Sequence, residues 1–117
     1  MAYTNAYLER HLEVDCEEND ATYRLIFAYQ ETKRNGWETI VIRDLGFPCD
    51  AMDMVEAMDL LEVNDVIIAD ESTALMSYLT RLIACGWKVV GTSTVKRDVH
   101  YTFGYNGEIN GLHLKRR

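Results

Sequence analysis

Carboxylates and hydroxyls crowd one short run of this chain, VIIADEST from Val66 to Thr73, where an apolar stretch ends in Asp70, Glu71, Ser72 and Thr73. Carboxylate oxygens bind divalent cations, and the N–H groups that open a helix hold phosphate. An earlier apolar run, TIVIRD, ends in Asp44. Parallel strands would bring Asp44, Asp70 and Glu71 to their carboxyl ends, where ligands bind in open α/β sheets, with Arg43 beside them and Ser93 and Thr94 arriving from a third strand. Such a corner could hold Mg²⁺ or a nucleotide, and the chain would then be a small enzyme or ligand-binding domain. The competing reading is structural: Asp70 caps a helix and Glu71 favours the positive end of its dipole. Capping is a general requirement of helix starts. No glycine-rich loop follows any strand, so neither the dinucleotide nor the P-loop fingerprint is present. The structural reading takes precedence, and no cofactor, metal or catalytic residue is assigned. Ser72, Ser77 and Ser93 lack a nucleophile-elbow context, and no cysteine has an adjacent histidine.

A second pattern favours recognition over catalysis. Between Asp50 and Glu62 a helical period of about 100° per residue puts Ala51, Met54, Val55, Met58 and Leu61 on one face, which will pack on a sheet. The opposite face carries Asp53, Glu56 and Asp59 with Met52 and Leu60 beside them. Acids alone would be a solvated surface. Two large apolar side chains among them make the patch a plausible dock for a basic, partly apolar partner.

The charge distribution agrees. The formal net charge is −7. From Asp44 to Glu71 there are nine acids and no Lys, Arg or His, whereas the rest of the chain has ten acids against twelve bases. The acidic segment is thus unsuited to nucleic acid and suited to a basic protein surface. By size and charge only, the chain is comparable to small acidic inhibitors that mimic nucleic acid and occlude a nucleic-acid-binding enzyme, of the anti-restriction, anti-CRISPR or toxin-immunity kind. The expected function is therefore a non-enzymatic protein-binding module.

A third pattern lies near the C-terminus. HYTFGY, Asn106-Gly107 and EINGLHL read as a β-hairpin whose turn sets His100 opposite His113 and Tyr101 opposite Leu112. Val99, Tyr101, Phe103, Leu112 and Leu114 would form the core face. His100, Gly104, Ile109, Gly111 and His113 would share the other. Two histidines fall short of the ligands zinc requires. Gly104 and Gly111 flatten that face and would allow a second chain to approach, so a homo-oligomer with this oligomer face is a third expectation.

The elements that must position these residues follow from periodicity. The 117 residues are 48% hydrophobic with one proline, the profile of one globular domain over 1–117. No apolar run approaches the roughly 20 residues that span a bilayer, and the first residues are charged where a signal peptide would be apolar, so a cytoplasmic protein is expected. Cys16, Cys49 and Cys85 are odd in number and widely spaced, which argues for free thiols, with Cys85 the most core-like. Asn5 or Thr4 caps a helix from Ala6 to about Val14, and residues 21–35 form a second helix ended by Gly36. The alternative for 21–35 is a strand leading into an Asn35-Gly36 hairpin turn. Strands at 37–44, 66–70 and 87–95 alternate with helices at 50–62 and 71–85, the latter with Leu75, Met76, Leu79, Leu82 and Ile83 facing inward. That order predicts an α/β fold, with α+β as the alternative: a small three-stranded parallel βαβαβ core flanked by helices, an N-terminal helical segment and a C-terminal antiparallel hairpin. The order helix, Gly-Trp, strand occurs twice, at Gly36-Trp37 and Gly86-Trp87, a weak hint of internal repetition.

Overall fold

The computed structural model describes residues 3–13, 20–43, 51–69, 74–96 and 108–116. Its elements run α1 (Ala6–Glu13), α2 (Asp20–Asn35), β1 (Ile40–Arg43), α3 (Ala51–Leu60), β2 (Asp65–Ala69), α4 (Ala74–Ala84), β3 (Trp87–Lys96) and β4 (Glu108–Arg116). Among the described residues the fold is mixed, four helices with a four-stranded sheet.

Local chemistry explains the helix limits. Asn5 is the N-cap of α1: its Oδ1 accepts from the N–H groups of Tyr7 and Leu8, both at 3.0 Å. Residues 20–35 are helical, which settles the hairpin alternative. Gly36 ends α2 at φ +67°, its N–H donating to Lys33 O and that of Trp37 to Thr32 O, the paired bonds of a Schellman cap. Thr32 then ties helix to sheet. Its hydroxyl donates to Ala28 O at 2.7 Å and accepts from Val41 N at 3.2 Å.

The sheet order is β1-β2-β4-β3. β1 and β2 are parallel, with Ile40 opposite Val66 and Arg43 opposite Ala69, while β4 lies antiparallel to both β2 and β3. The expected three-stranded parallel core is therefore corrected to a mixed sheet. β3 does run in the direction of β1 and β2, but β4 is inserted between β2 and β3. Burial gives the physical reason. Val66, Ile67 and Ile68 are buried and need partners on both sides, whereas β3 is exposed at most positions and suits an outer place. β4 supplies Ile109 and Leu114 to the interior.

The expected hairpin register is corrected with it. His113 lies opposite Ile67 on one side and Gly91 on the other, and Leu112 opposite Ile68 and Thr92, so neither pairs with His100 or Tyr101. The antiparallel partner of β4 begins at Lys96, opposite Glu108. His100 and Gly104 lie outside the described residues.

Two apolar clusters flank the sheet. The larger joins Leu8, Leu25, Tyr29, Met54, Met58, Leu82 and Trp87 from around the helices to Ile40, Ile42, Val66, Ile68 and Leu114. The smaller holds Trp37, Val41, Ile67 and Ile109, with Ala69 and Val95 packed against it. The two Gly-Trp corners thus send their tryptophans into different clusters. The face expected for α3 is observed, with Met54, Val55, Met58 and Leu61 buried and Ala57 added. On α4 the buried stripe is narrower than expected: Tyr78 and Leu82 are buried, but Met76 is 71% and Ile83 54% exposed. Cys85, expected in the core, is exposed and free, because it follows the last helical turn and Trp87 takes the inward position two residues on. Cys16 and Cys49 lie outside the described residues.

Candidate functional site

The residues expected to dock a partner share one surface. With Met52 as zero and about 100° per residue, Asp59, Met52, Glu56, Leu60 and Asp53 fall in sequence around an arc of roughly 120° on α3. All five are exposed, Leu60 to 76% and Met52 to 39%, while Met54, Val55, Ala57 and Met58 are buried on the other side. The three acids do not stand alike. Asp59 forms an ion pair with Arg116, whose Nε also donates to Asn64 Oδ1 at 3.0 Å and whose guanidinium lies 5.9 Å from the centre of the Trp87 ring. Among the described residues neither Asp53 nor Glu56 has an ion-pair partner. Both side chains are exposed.

Beyond the helix the chain makes a turn that sequence inspection did not anticipate. Glu62 takes φ 51°, its N–H donates to Asp59 O and that of Val63 to Met58 O, so Glu62 holds the left-handed position of a Schellman cap where glycine is the usual residue. Its side chain turns toward α1, where Tyr7 Oη lies 3.4 Å from its carboxylate. A shallow cleft of about 300 Å³ opens there, between Tyr3, Asn5 and Tyr7 on one side and Glu62, Asn64 and Asp65 on the other. Burial raises the Tyr3 pKa above its ordinary value, so its hydroxyl stays protonated. The Glu62 carboxylate is the acidic group of this rim, since that of Asp65 is engaged by His113 and Lys115. The cap at Asn5 was legible in the sequence, but the approach of α1 to Glu62, 55 residues away, carried no local signal.

Residues 24–116 match a family described as a domain of unknown function, DUF7698. The chain belongs to the DUF7698 family. All the candidate residues on α3, and the Glu62 and Asp65 rim, fall within the matched span, whereas α1 precedes it. No curated protein and no solved structure gives a match.

The other expected sites are placed as follows in this DUF7698 chain. Asp44, Asp70, Glu71, Ser72 and Thr73 lie outside the described residues; the residues before the two aspartates, Arg43 and Ala69, are register partners on adjacent strands. Arg43 is committed to Glu31, donating from Nε at 2.8 Å and from Nη2 at 2.5 Å. Ser93 and Thr94 do not join the end of β2, because β4 intervenes and adjacent strands are about 4.8 Å apart. Thr94 instead donates to Asn110 Oδ1 at 2.6 Å. Gly111 does not present a flat patch: a Cβ there would stand 2.7 Å from an Ile67 methyl and 2.8 Å from Ile68 O, so its lack of a side chain lets β4 close on β2. His113 is half-buried between Asp65 and Ser93. No group of three or more His, Cys, Asp or Glu side chains capable of holding a metal occurs among the described residues, and no described helix is long and apolar enough to cross a membrane.

Proposed function

We propose that this DUF7698 domain is a protein-binding module that presents the exposed face of α3 to a basic partner. The observation that carries the reading is the placement of Leu60, 76% exposed, and Met52, 39% exposed, on the same arc as Asp53 and Glu56, which have no ion-pair partner among the described residues. Exposed apolar area supplies affinity, and the acids supply orientation and exclude acidic partners. Leu60 would sit in a pocket of the partner with the carboxylates meeting Lys or Arg around it, the arrangement in which one buried apolar anchor dominates an interface. Glu62 extends the acidic edge toward the cleft beside α1, where a basic side chain of the partner could enter. A nucleic-acid-binding enzyme is the proposed partner class, because its phosphate-binding groove has the required charge, and occupation of that groove would inhibit it.

The test is affinity capture from host extract, followed by calorimetry with the purified captured protein. Wild-type binding should weaken as salt rises, Asp53→Lys/Glu56→Lys should lower affinity at least tenfold, and Leu60→Asp should abolish it. Asp59 is left intact because its substitution would release Arg116. Unchanged affinity in both variants would remove α3 as the binding surface.

A further inference from the structure

We infer that Ser93 is an acyl-accepting nucleophile, activated by His113 and oriented through Asp65, which hydrolyses carboxylic esters with small apolar acyl groups. This activity is independent of the α3 surface. Three strands converge to build the site. Asp65 starts β2, His113 lies one diagonal away on β4 opposite Ile67, and Ser93 lies one diagonal further on β3, opposite Gly111. His113 Nε2 bonds Asp65 Oδ1, and Ser93 Oγ lies 3.4 Å from His113 Nδ1.

The direction of the bonds follows from the carboxylate. An ionised Asp65 only accepts, so Nε2 carries the hydrogen and Nδ1 is left with its lone pair facing the Ser93 hydroxyl. This is the relation of orienting acid, base and nucleophile that activates a serine, and hydroxyl-to-base bonds are often long until substrate binds. The second oxygen of the same carboxylate lies 3.9 Å from Lys115 Nζ.

Among the described residues, small side chains surround Ser93. Along β3 the neighbours of Ser93 on this face are Gly91 and Val95, and across the sheet it faces Gly111. Among the described residues a Cβ at Gly91 would meet nothing within 4 Å, and Gly91 sits beside a bulge at φ +154°, a conformation that residues with side chains rarely adopt. The site therefore keeps an opening beside Ser93 that substitution cannot readily fill. Val95, Ile109, Ile67 and Trp37 belong to the adjoining apolar cluster, and Trp37 is pinned there by its indole N–H donating to Lys96 O at 2.7 Å. An apolar acyl group would rest against these side chains.

In the first half-reaction His113 Nδ1 takes the Ser93 proton as Oγ bonds to the carbonyl carbon. The bond from that carbon to the alcohol oxygen then breaks, and the alcohol leaves with the proton from His113. In the second, water gives a proton to His113 and its oxygen bonds to the acyl carbon. Ser93 Oγ departs, recovers the proton, and the carboxylic acid is released. Ser93 and His113 are the catalytic residues; Asp65 is a positioning residue.

The full chain should be treated with a fluorophosphonate probe and mapped by peptide mass spectrometry, and assayed with p-nitrophenyl acetate and butyrate. A single adduct on Ser93 is expected, absent in Ser93→Ala, with ester hydrolysis falling about 100-fold or more in that variant. Asp65→Asn should lower kcat with little change in KM, and circular dichroism on each variant establishes that it is folded. An unlabelled wild-type chain, an adduct elsewhere, or hydrolysis unchanged in folded Ser93→Ala would overturn the inference.

Discussion

Glu62 occupies a backbone conformation that costs an L-residue about 1–2 kcal/mol, and its exposed 3.4 Å contact with Tyr7 returns little of that. Glu62→Gly should therefore raise stability by about 0.5–1 kcal/mol, the relief of strain less the added freedom of glycine in the unfolded chain. Urea unfolding would read it as a higher midpoint at unchanged slope. If the variant also weakens partner binding, the strained glutamate is retained for its charge at the end of the acidic face. Gly111 is the opposite case. A methyl group there would press on an Ile67 methyl and on the Ile68 carbonyl, and backbone cannot swing aside, so Gly111→Ala should cost about 1–3 kcal/mol. Such single-residue features were only partly legible in the sequence. A cap at Asn5 or Thr4 and a stop at Gly36 were among the readings that residue type offered, because their partners lie within a few positions. The reason for Gly111 lies on β2, more than forty residues earlier, and no local pattern announces it.

At the scale of elements, Thr32 is the joint between α2 and β1. Its side chain is fully buried, and Thr32→Val would keep the shape while leaving Val41 N–H without its acceptor. The expected loss is about 1–3 kcal/mol, the desolvation cost of one orphaned donor, and Thr32→Ser should recover most of it. Thermal unfolding of the pair of variants separates the hydroxyl from the methyl. The helices were readable here because amphipathic period and glycine stops act over one or two turns. Sheet order was not, since strand pairing is decided by which strands can bury both faces: β3, exposed along most of KVVGTSTVK, takes an outer place, and β4 enters beside β2 from a part of the chain more than forty residues away. The exposed acidic face of α3 was visible for the same reason as its buried face. The line from Asp65 through His113 to Ser93 was not, because β4 had first to be placed between its neighbours.

At the scale of the whole molecule, α1 is fastened at points with opposite pH responses. Tyr29 Oη donates to Glu9 at 2.7 Å, and Lys33 Nζ lies 2.5 Å from the same carboxylate oxygen. The Lys33 and Tyr29 bonds hold the Glu9 carboxyl below its ordinary value, so its contribution is present above pH 4.5 and is lost as pH falls through the lower folded value. Burial, then the Glu9 bond, push Tyr29 from 10.0 up to about 12, so its contribution is whole below pH 10 and is lost as pH rises from 10 through 12. Urea unfolding across pH should show stability falling at both ends, and Tyr29→Phe should flatten the alkaline decline. A variant with the same alkaline slope as wild type would place that decline on other groups.

The position of β4 also governs when this chain can become a protein. A ribosome delivers β1, β2 and β3 before any part of 108–116 exists, and until then the inner edge of β2 lacks its native neighbour, with Ile67 and Ile68 without the strand that covers their backbone. A central strand of the sheet is thus made after both of its neighbours, and ordering it beside β2 must close a loop of about forty residues against chain entropy. Synthesis halted anywhere before Glu108 would leave a sticky, half-formed sheet; the arrival of β4 joins β2 to β3.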